Sequence, residues 1–195
     1  MIKNTKELKN LVHTSHNLIL VIAISATIIS IFYKEDIMMF LFPDTYTSSH
    51  SEILSILMLS FFAISLTYIY GTMITAAGKI KVLNKIVLVG VIINLILNLI
   101  LIPQKGAYGA AIATVFTQYF VLLGQYIYGI KEFKIGFSFE IFLRRFIFIV
   151  LAGTVVYFTK NSLEYNWLIR ILVSGLSIVT IAYVIGLIKI SDLKK

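Results

Sequence analysis

Six long apolar runs fill this chain, and the short segments between them alternate between cation-rich and cation-poor. A helix rises about 1.5 Å per residue and the hydrocarbon core of a bilayer is about 30 Å thick, so about 20 apolar residues cross it. Backbone amides find no water there, so each run must be helical or part of a closed barrel, and the strand-like alternation of a barrel is missing. The sequence therefore predicts an all-α integral membrane protein with six transmembrane helices. The predicted spans are 18–33, 53–76, 86–102, 107–130, 142–158 and 167–188.

Composition argues against a soluble domain. Of the 195 residues 59% are hydrophobic and 13% charged, and the mean hydropathy is +0.95, whereas soluble domains carry about 25% charged residues. The net charge is +8, and the basic residues that produce it lie mostly between the spans. This distribution predicts contact with a lipid bilayer and no binding of nucleic acid. Cysteine is absent, so thiolate metal sites are excluded, and we expect no metal, no cofactor and no catalytic residues.

The cations between the spans predict the orientation of the chain. From the N-terminal segment to the tail, lysines and arginines number 3, 1, 3, 1, 4, 2 and 3. Short loops rich in these residues stay in the cytoplasm. Both termini are therefore predicted to be cytoplasmic.

Along the chain we predict a lead-in helix over 1–16, a four-span region over 17–130, and two further spans with a short cytoplasmic tail over 131–195. Pro43 and Pro103 are predicted to lie in outer loops, with spans three and four tightly paired across 103–108. Gly78 is predicted to end span two by adopting the left-handed conformation.

Polar residues within the spans are the candidate site. Asn94 and Asn98 follow Gly90 at intervals of four, so the three form one stripe of span three. Three polar side chains recur on roughly one face of span four: Thr114, Gln118 and Gln125. Unpaired amides in hydrocarbon cost several kcal/mol. Asn94, Asn98, Thr114 and Gln118 either line a polar substrate cavity or serve as hydrogen-bonding contacts between helices, and both interpretations stay open.

Small and charged residues of the spans are further candidates, for helix packing and for binding a lipid headgroup. Gly90, Gly109, Ala110 and Ala113 are predicted to permit close helix packing. Lys85 and Arg170 lie near span ends, where they either extend to the interface or contact an anionic headgroup or pyrophosphate.

Several short motifs follow one another along the chain: Leu41-Phe42 with Tyr46, Ala-Ala-Gly-Lys at 76–79, the Asn-rich run 94–103 that ends in Pro103, Gly106, the small-residue run 109–114, and Gln118. Over about residues 8–130 their order resembles the C-terminal region of polysaccharide flippases of the multidrug/oligosaccharidyl-lipid/polysaccharide exporter superfamily. This resemblance implies that the chain takes part in moving undecaprenyl-linked O-antigen or capsule repeat units across the bacterial inner membrane.

Members of that superfamily have twelve or fourteen spans in two lobes, and these six resemble the last six. Transport by rocking one lobe against another needs both. We therefore expect this chain to be the C-terminal portion of a flippase and to be inactive without the missing N-terminal lobe. A separate chain could supply that lobe. The alternatives are a non-transporting membrane remnant or scaffold and, with less support, a membrane-embedded transferase.

The predicted orientation is tested with reporter fusions. A fusion at Asp44 should report the outer side of the membrane and a fusion at Lys195 the cytoplasm, because the cation-rich segments are retained inside. Fusions that place both residues on one side would contradict the six-span topology.

Overall fold

Helices make up the secondary structure of the computed structural model, which describes residues 5–133 and 139–188, with side chains from residue 14 onward. Five of them are long and apolar enough to cross a membrane, and over the described residues no strand occurs. This confirms the predicted all-α integral membrane protein. The helices are α1 (Thr5–Phe32), α2 (Lys34–Leu41), α3 (Ser48–Ala76), α4 (Ile80–Phe133), α5 (Phe139–Ser162) and α6 (Trp167–Val184).

Helix α4 is two spans joined at a sharp reversal. Its 54 residues would extend about 80 Å if straight, far more than a bilayer. Gly106 interrupts it with a non-helical φ of 56° and ψ of −134°. The first leg (80–105) returns against the second leg (107–133), because Gly124 packs on Ile86 and Gly90 on Val121. With this antiparallel hairpin, the described residues contain six apolar membrane-crossing segments, as predicted.

The position of Pro103 differs from the prediction. Pro43 lies in the turn after α2, as expected, but Pro103 lies inside α4 rather than in a loop. The predicted loop at 103–108 is reduced to a break at Gly106, because glycine reaches positive φ without the penalty that a Cβ atom imposes. Spans three and four are nevertheless tightly paired, as predicted.

The chain forms two compact units, each described separately. The hairpin unit comprises Phe42–Gly136 and the terminal unit comprises Met1–Leu41 with Phe137–Lys195. In the hairpin unit, α3 packs on α4 after a turn at Gly78, whose φ of 73° confirms the predicted left-handed helix end. The amide of Lys79 donates to the carbonyl of Ile74 at 3.0 Å, which satisfies the end of α3.

In the terminal unit, α1, α5 and α6 pack together around small and aliphatic side chains. Helix α5 buries Phe148, Ala152 and Val156 at intervals of four, and α6 buries Ser174, Ile178 and Ala182 at the same interval. Each interval returns to one face of a helix, so each helix has one packed stripe. The remaining faces are largely exposed apolar surface, as expected of lipid-facing helices.

Ionic and polar contacts show which helix ends lie together within each unit. In the terminal unit, Lys160 near the end of α5 donates to the carbonyl of Phe32 at the end of α1, at 2.6 Å. In the hairpin unit, Lys79 beyond α3 lies 3.4 Å from Glu132 at the end of α4. Both pairs join segments for which the cation count predicts the same side of the membrane. Which of the two sides is cytoplasmic stays a prediction.

Two elements differ in extent from the predicted spans. Helix α2 occupies part of the first gap, where no helix was predicted, and Glu35 and Asp36 in its first turn favour it through the helix dipole. Helix α6 ends at Val184 instead of continuing to 188, and Gly186 follows with a φ of 76°. The predicted lead-in continues into the first span as one helix from Thr5. The predicted tail lies outside the described residues, and the three-part organisation stays a prediction.

The hairpin predicts unequal effects of alanine at two glycines. A Cβ atom at Gly90 would lie 2.5 Å from Cγ2 of Val121, whereas one at Gly153 in α5 would meet no atom within 4 Å. Gly90→Ala should lower the free energy of unfolding in detergent by about 1–3 kcal/mol through overpacking. The control Gly153→Ala should leave it unchanged or raise it by up to about 1 kcal/mol through helix propensity. Equal effects of the two changes would contradict the hairpin contact.

Candidate functional site

A chain of hydrogen bonds joins the two legs of α4 at the predicted polar stripe. The side-chain amide of Asn94 donates to the hydroxyl of Thr117 at 3.2 Å, across the hairpin. The amide of Asn98 donates to Oδ1 of Asn94 at 2.9 Å along the first leg. The hydroxyl of Thr117 in turn donates to the carbonyl of Ala113 at 2.8 Å. The structure therefore brings Asn94 and Asn98 together, with each amide group donating to a protein oxygen.

One oxygen of this stripe accepts no hydrogen bond. Oδ1 of Asn98 is enclosed and has no hydrogen-bond partner, although Asn98 as a whole is half-buried. A carboxamide oxygen can accept hydrogen bonds, but protein atoms enclose this one, so its acceptor capacity stays unused. The geometry is that of a contact between helices with one spare acceptor.

The other two predicted cavity residues lie apart from this hydrogen-bond chain. Thr114 donates its hydroxyl to the carbonyl of Ala110 on its own helix, at 2.9 Å. Gln118 is half-buried. The partner of Asn94 is instead Thr117, which is buried and which the sequence analysis did not select. Intervals of four from Gly109 through Ala113 lead to Thr117, so the spacing of small residues contained the signal.

The predicted packing residues lie at the hairpin with different degrees of burial. Gly90 and Gly109 are buried and Ala113 is fully enclosed, while Ala110 is half-buried. A Cβ atom at Gly109 would overlap the backbone carbonyl of Leu101. The two legs therefore approach most closely just beside the turn at Gly106.

The two predicted headgroup ligands have different surroundings. Lys85 is exposed near the start of α4. Arg170 donates through Nε to the carbonyl of Tyr165 at 2.8 Å and through Nη1 to the carbonyl of Lys160 at 2.9 Å. Arg170 thus binds the last turn of α5 and the connection that follows it, and these two bonds use part of its donor capacity.

A groove in the hairpin unit contains Gln125, one of the three polar residues predicted on one face of span four, and none of the other candidate residues. It has a volume of about 490 Å³ and runs between the second half of α3 and the first leg of α4. Gln125 of the second leg forms part of its lining, together with Thr67, Gly71 and Thr75 of α3. Thr67, Gly71 and Thr75 recur at intervals of four, the same spacing that pointed to Asn94 and Asn98. These three residues of α3 were not among the predicted candidates, although their spacing in the sequence places them on one face of the helix.

Coupling between Asn94 and Thr117 is measurable in a double-mutant cycle. Asn94→Leu and Thr117→Val each remove one side of the hydrogen bond across the hairpin. We expect a coupling free energy of about 0.6 kcal/mol, the average for such bonds in membrane proteins, from unfolding in detergent. The matched cycle of Asn94→Leu with Thr114→Val should be additive, because the hydroxyl of Thr114 donates within its own helix. Additivity in both cycles would contradict the contact.

Comparison with known proteins identifies the family of this chain. An uncharacterized membrane protein of Methanocaldococcus jannaschii is 29% identical over 174 residues, which is 86% of this chain and 32% of the relative. The chain thus spans about a third of the length of the curated relative it matches. The family model described as lipid II flippase MurJ matches residues 1–177. The polar stripe, the hairpin and five of the six helices lie wholly within that match, and the chain belongs to the lipid II flippase MurJ family.

Proposed function

We propose that this chain is the C-terminal portion of a membrane flippase that translocates polyprenyl-linked saccharides. The observation that carries this proposal is the family match over residues 1–177, which includes nearly every membrane-crossing segment. The helical, largely apolar architecture supports it, because movement of a lipid-linked molecule takes place within the bilayer.

The substrate class has two candidates. The description of the matching family names lipid II, a polyprenyl-linked precursor. The motifs at 76–79, 94–103 and 109–114 favour an undecaprenyl-linked O-antigen or capsule repeat unit. Both join a polyprenyl chain to a saccharide through pyrophosphate, so one architecture serves either. We place the protein in the bacterial inner membrane, where both substrates are made.

Transport should require membrane helices beyond these. Alternating access moves one helical bundle against another around a shared site. The relative is about three times longer than the region aligned here, which leaves room for a second bundle. We propose that an N-terminal lobe, in the same polypeptide or a separate chain, completes the flippase.

A catalytic role receives no support from the distribution of charge. Eight of the nine acidic residues lie in the described ranges, and each of these is in a loop or within about two turns of a helix end. A membrane transferase would need ionisable groups gathered at one membrane face. We therefore propose that the chain is a component of a transporter rather than an enzyme. If the chimera described next restores neither function, the chain is a membrane remnant that does not transport.

The proposal is tested by complementation with a chimera. A full-length relative whose corresponding segment is replaced by this chain should restore growth on depletion of the lipid II flippase, or surface polysaccharide in a strain lacking its O-antigen flippase. The strain that is rescued identifies the substrate. The chain expressed alone should rescue neither, because it lacks the second bundle. Rescue by the chain alone would contradict the need for a second lobe, and no rescue at normal protein level would contradict the flippase function.

The cavity interpretation of the polar stripe is tested in the same chimera. Asn94→Leu, Asn98→Leu and Gln118→Leu should each reduce rescue without lowering the protein level if these amides contact the saccharide. Gly153→Ala, at an open position, is the matched control and should rescue fully. Undiminished rescue by all three leucine variants would leave the amides as contacts between helices only.

A further inference from the structure

A second pocket of the hairpin unit lies where α3 begins and the two legs of α4 meet. Its volume is about 490 Å³, within the range of about 300–1,000 Å³ that is typical of small-molecule sites. The first turn of α3 forms one side of this pocket, and the reversal around Gly106 forms the other. The lining of this turn pocket consists of Ser49, Glu52, Ile53, Lys105, Ala107 and Tyr108.

The polar side chains of the turn pocket have no partner within the described part of the chain. Glu52 and Lys105 carry opposite charges, yet they lie too far apart for an ion pair and neither pairs with another described residue. The hydroxyls of Ser49 and Tyr108 likewise form no hydrogen bond there. All four side chains belong to exposed residues, so a molecule in the pocket can reach each of them.

The turn pocket lies at the depth of lipid headgroups. Helix α3 begins at Ser48, and the first leg of α4 ends at Gly106, so both walls are the ends of apolar membrane-crossing segments. Tyrosine is enriched at membrane interfaces, and Tyr108 is 38% exposed here. Ile53, one turn further into the span than Ser49, gives the pocket an apolar wall on the side of the hydrocarbon. Lipid headgroups are the molecules that surround the protein at this depth.

The two charges of the turn pocket favour a zwitterion. An anionic headgroup would be attracted by Lys105 but repelled by Glu52, whereas a headgroup with one charge of each sign meets an opposite charge at both residues. A primary ammonium group donates hydrogen bonds to a carboxylate, and a quaternary ammonium group has no N–H to donate. A phosphate group accepts hydrogen bonds from an ammonium group and from hydroxyls. Charge complementarity therefore selects a phosphate joined to a primary ammonium group.

We propose that the turn pocket binds the headgroup of phosphatidylethanolamine. The ammonium group of the lipid donates to the carboxylate of Glu52, and its phosphate accepts from Lys105 and from the hydroxyls of Ser49 and Tyr108. Each unpaired polar side chain of the pocket thereby gains a partner. The proposal does not depend on the flippase function, because it concerns a resident lipid of the bilayer.

Native mass spectrometry of the full chain released from nanodiscs tests this site. The nanodiscs contain equal fractions of phosphatidylethanolamine, phosphatidylcholine and phosphatidylglycerol. The wild-type chain should retain about fivefold more phosphatidylethanolamine than either other lipid, which corresponds to about 1 kcal/mol, the upper range for an exposed ion pair. Glu52→Gln should remove this preference, because the ammonium group loses its anionic partner. Lys105→Gln should lower the retention of all three lipids, because each carries a phosphate.

Two matched variants control for the loss of charge. Glu164→Gln removes a carboxylate from the connection between α5 and α6, and Lys81→Gln removes an ammonium group from the opposite end of the hairpin. Both should keep the full preference, and equal loss in either control would overturn the proposal. No preference for phosphatidylethanolamine in the wild-type chain, or stronger retention of phosphatidylglycerol, would also overturn it.

The unfolding temperature in lipid-free detergent separates lipid binding from a direct contact between Glu52 and Lys105. Because both residues are exposed and unpaired, Glu52→Gln and Lys105→Gln should each leave this temperature unchanged. An equal decrease in both variants would show that the two side chains pair with each other instead of with a lipid, and would overturn the proposal.

Discussion

Close approach of two helices at glycine is the contact on which the hairpin unit depends. Between spans in lipid, apolar side chains gain little by leaving the hydrocarbon, so packing distance and hydrogen bonds decide which helices associate. Gly90 admits Val121, and Gly109 admits the backbone of Leu101. That approach brings Asn94 within hydrogen-bonding distance of Thr117. The polar contact is therefore a consequence of the glycines, since a larger residue at Gly90 would hold the two legs apart.

Cations in the terminal unit satisfy helix ends. Lys160 donates to the last carbonyl of α1 and lies 5.7 Å from the ring centre of Tyr33. Arg170 donates to the carbonyl of Lys160 in the last turn of α5 and to the carbonyl of Tyr165 in the connection before α6. Carbonyls at a helix C-terminus carry partial negative charge and lack partners within the helix, so a basic side chain stabilises them. Lys160 and Arg170 belong to the basic residues whose count predicts the orientation of the chain. Their hydrogen bonds also hold helix ends together within this unit.

The hairpin unit holds two polar sites of different character. The stripe at Asn94 and Asn98 is bonded within the hairpin and keeps one spare acceptor. The groove beside Gln125 is open, but Oε1 of Gln125 is itself enclosed and has no hydrogen-bond partner in the described part of the chain. Both sites lie within the segment that matches the MurJ family.

By itself the sequence determined the fold class, the six membrane-crossing segments, the tight pairing of spans three and four and the helix end at Gly78. Each of these follows from local physics: the length of an apolar run, the cost of unpaired amides in lipid and the backbone freedom of glycine. Only the tertiary structure decided that Pro103 stays helical while Gly106 alone reverses the chain, that Thr117 rather than Thr114 or Gln118 meets Asn94, and that Gln125 faces Gly71. These depend on the rotation of one helix about its axis relative to its neighbour. Periodicity in the sequence defines the faces of a helix. Small residues occur on several faces of these spans, so only the contacts between particular side chains show which face packs against the neighbouring helix.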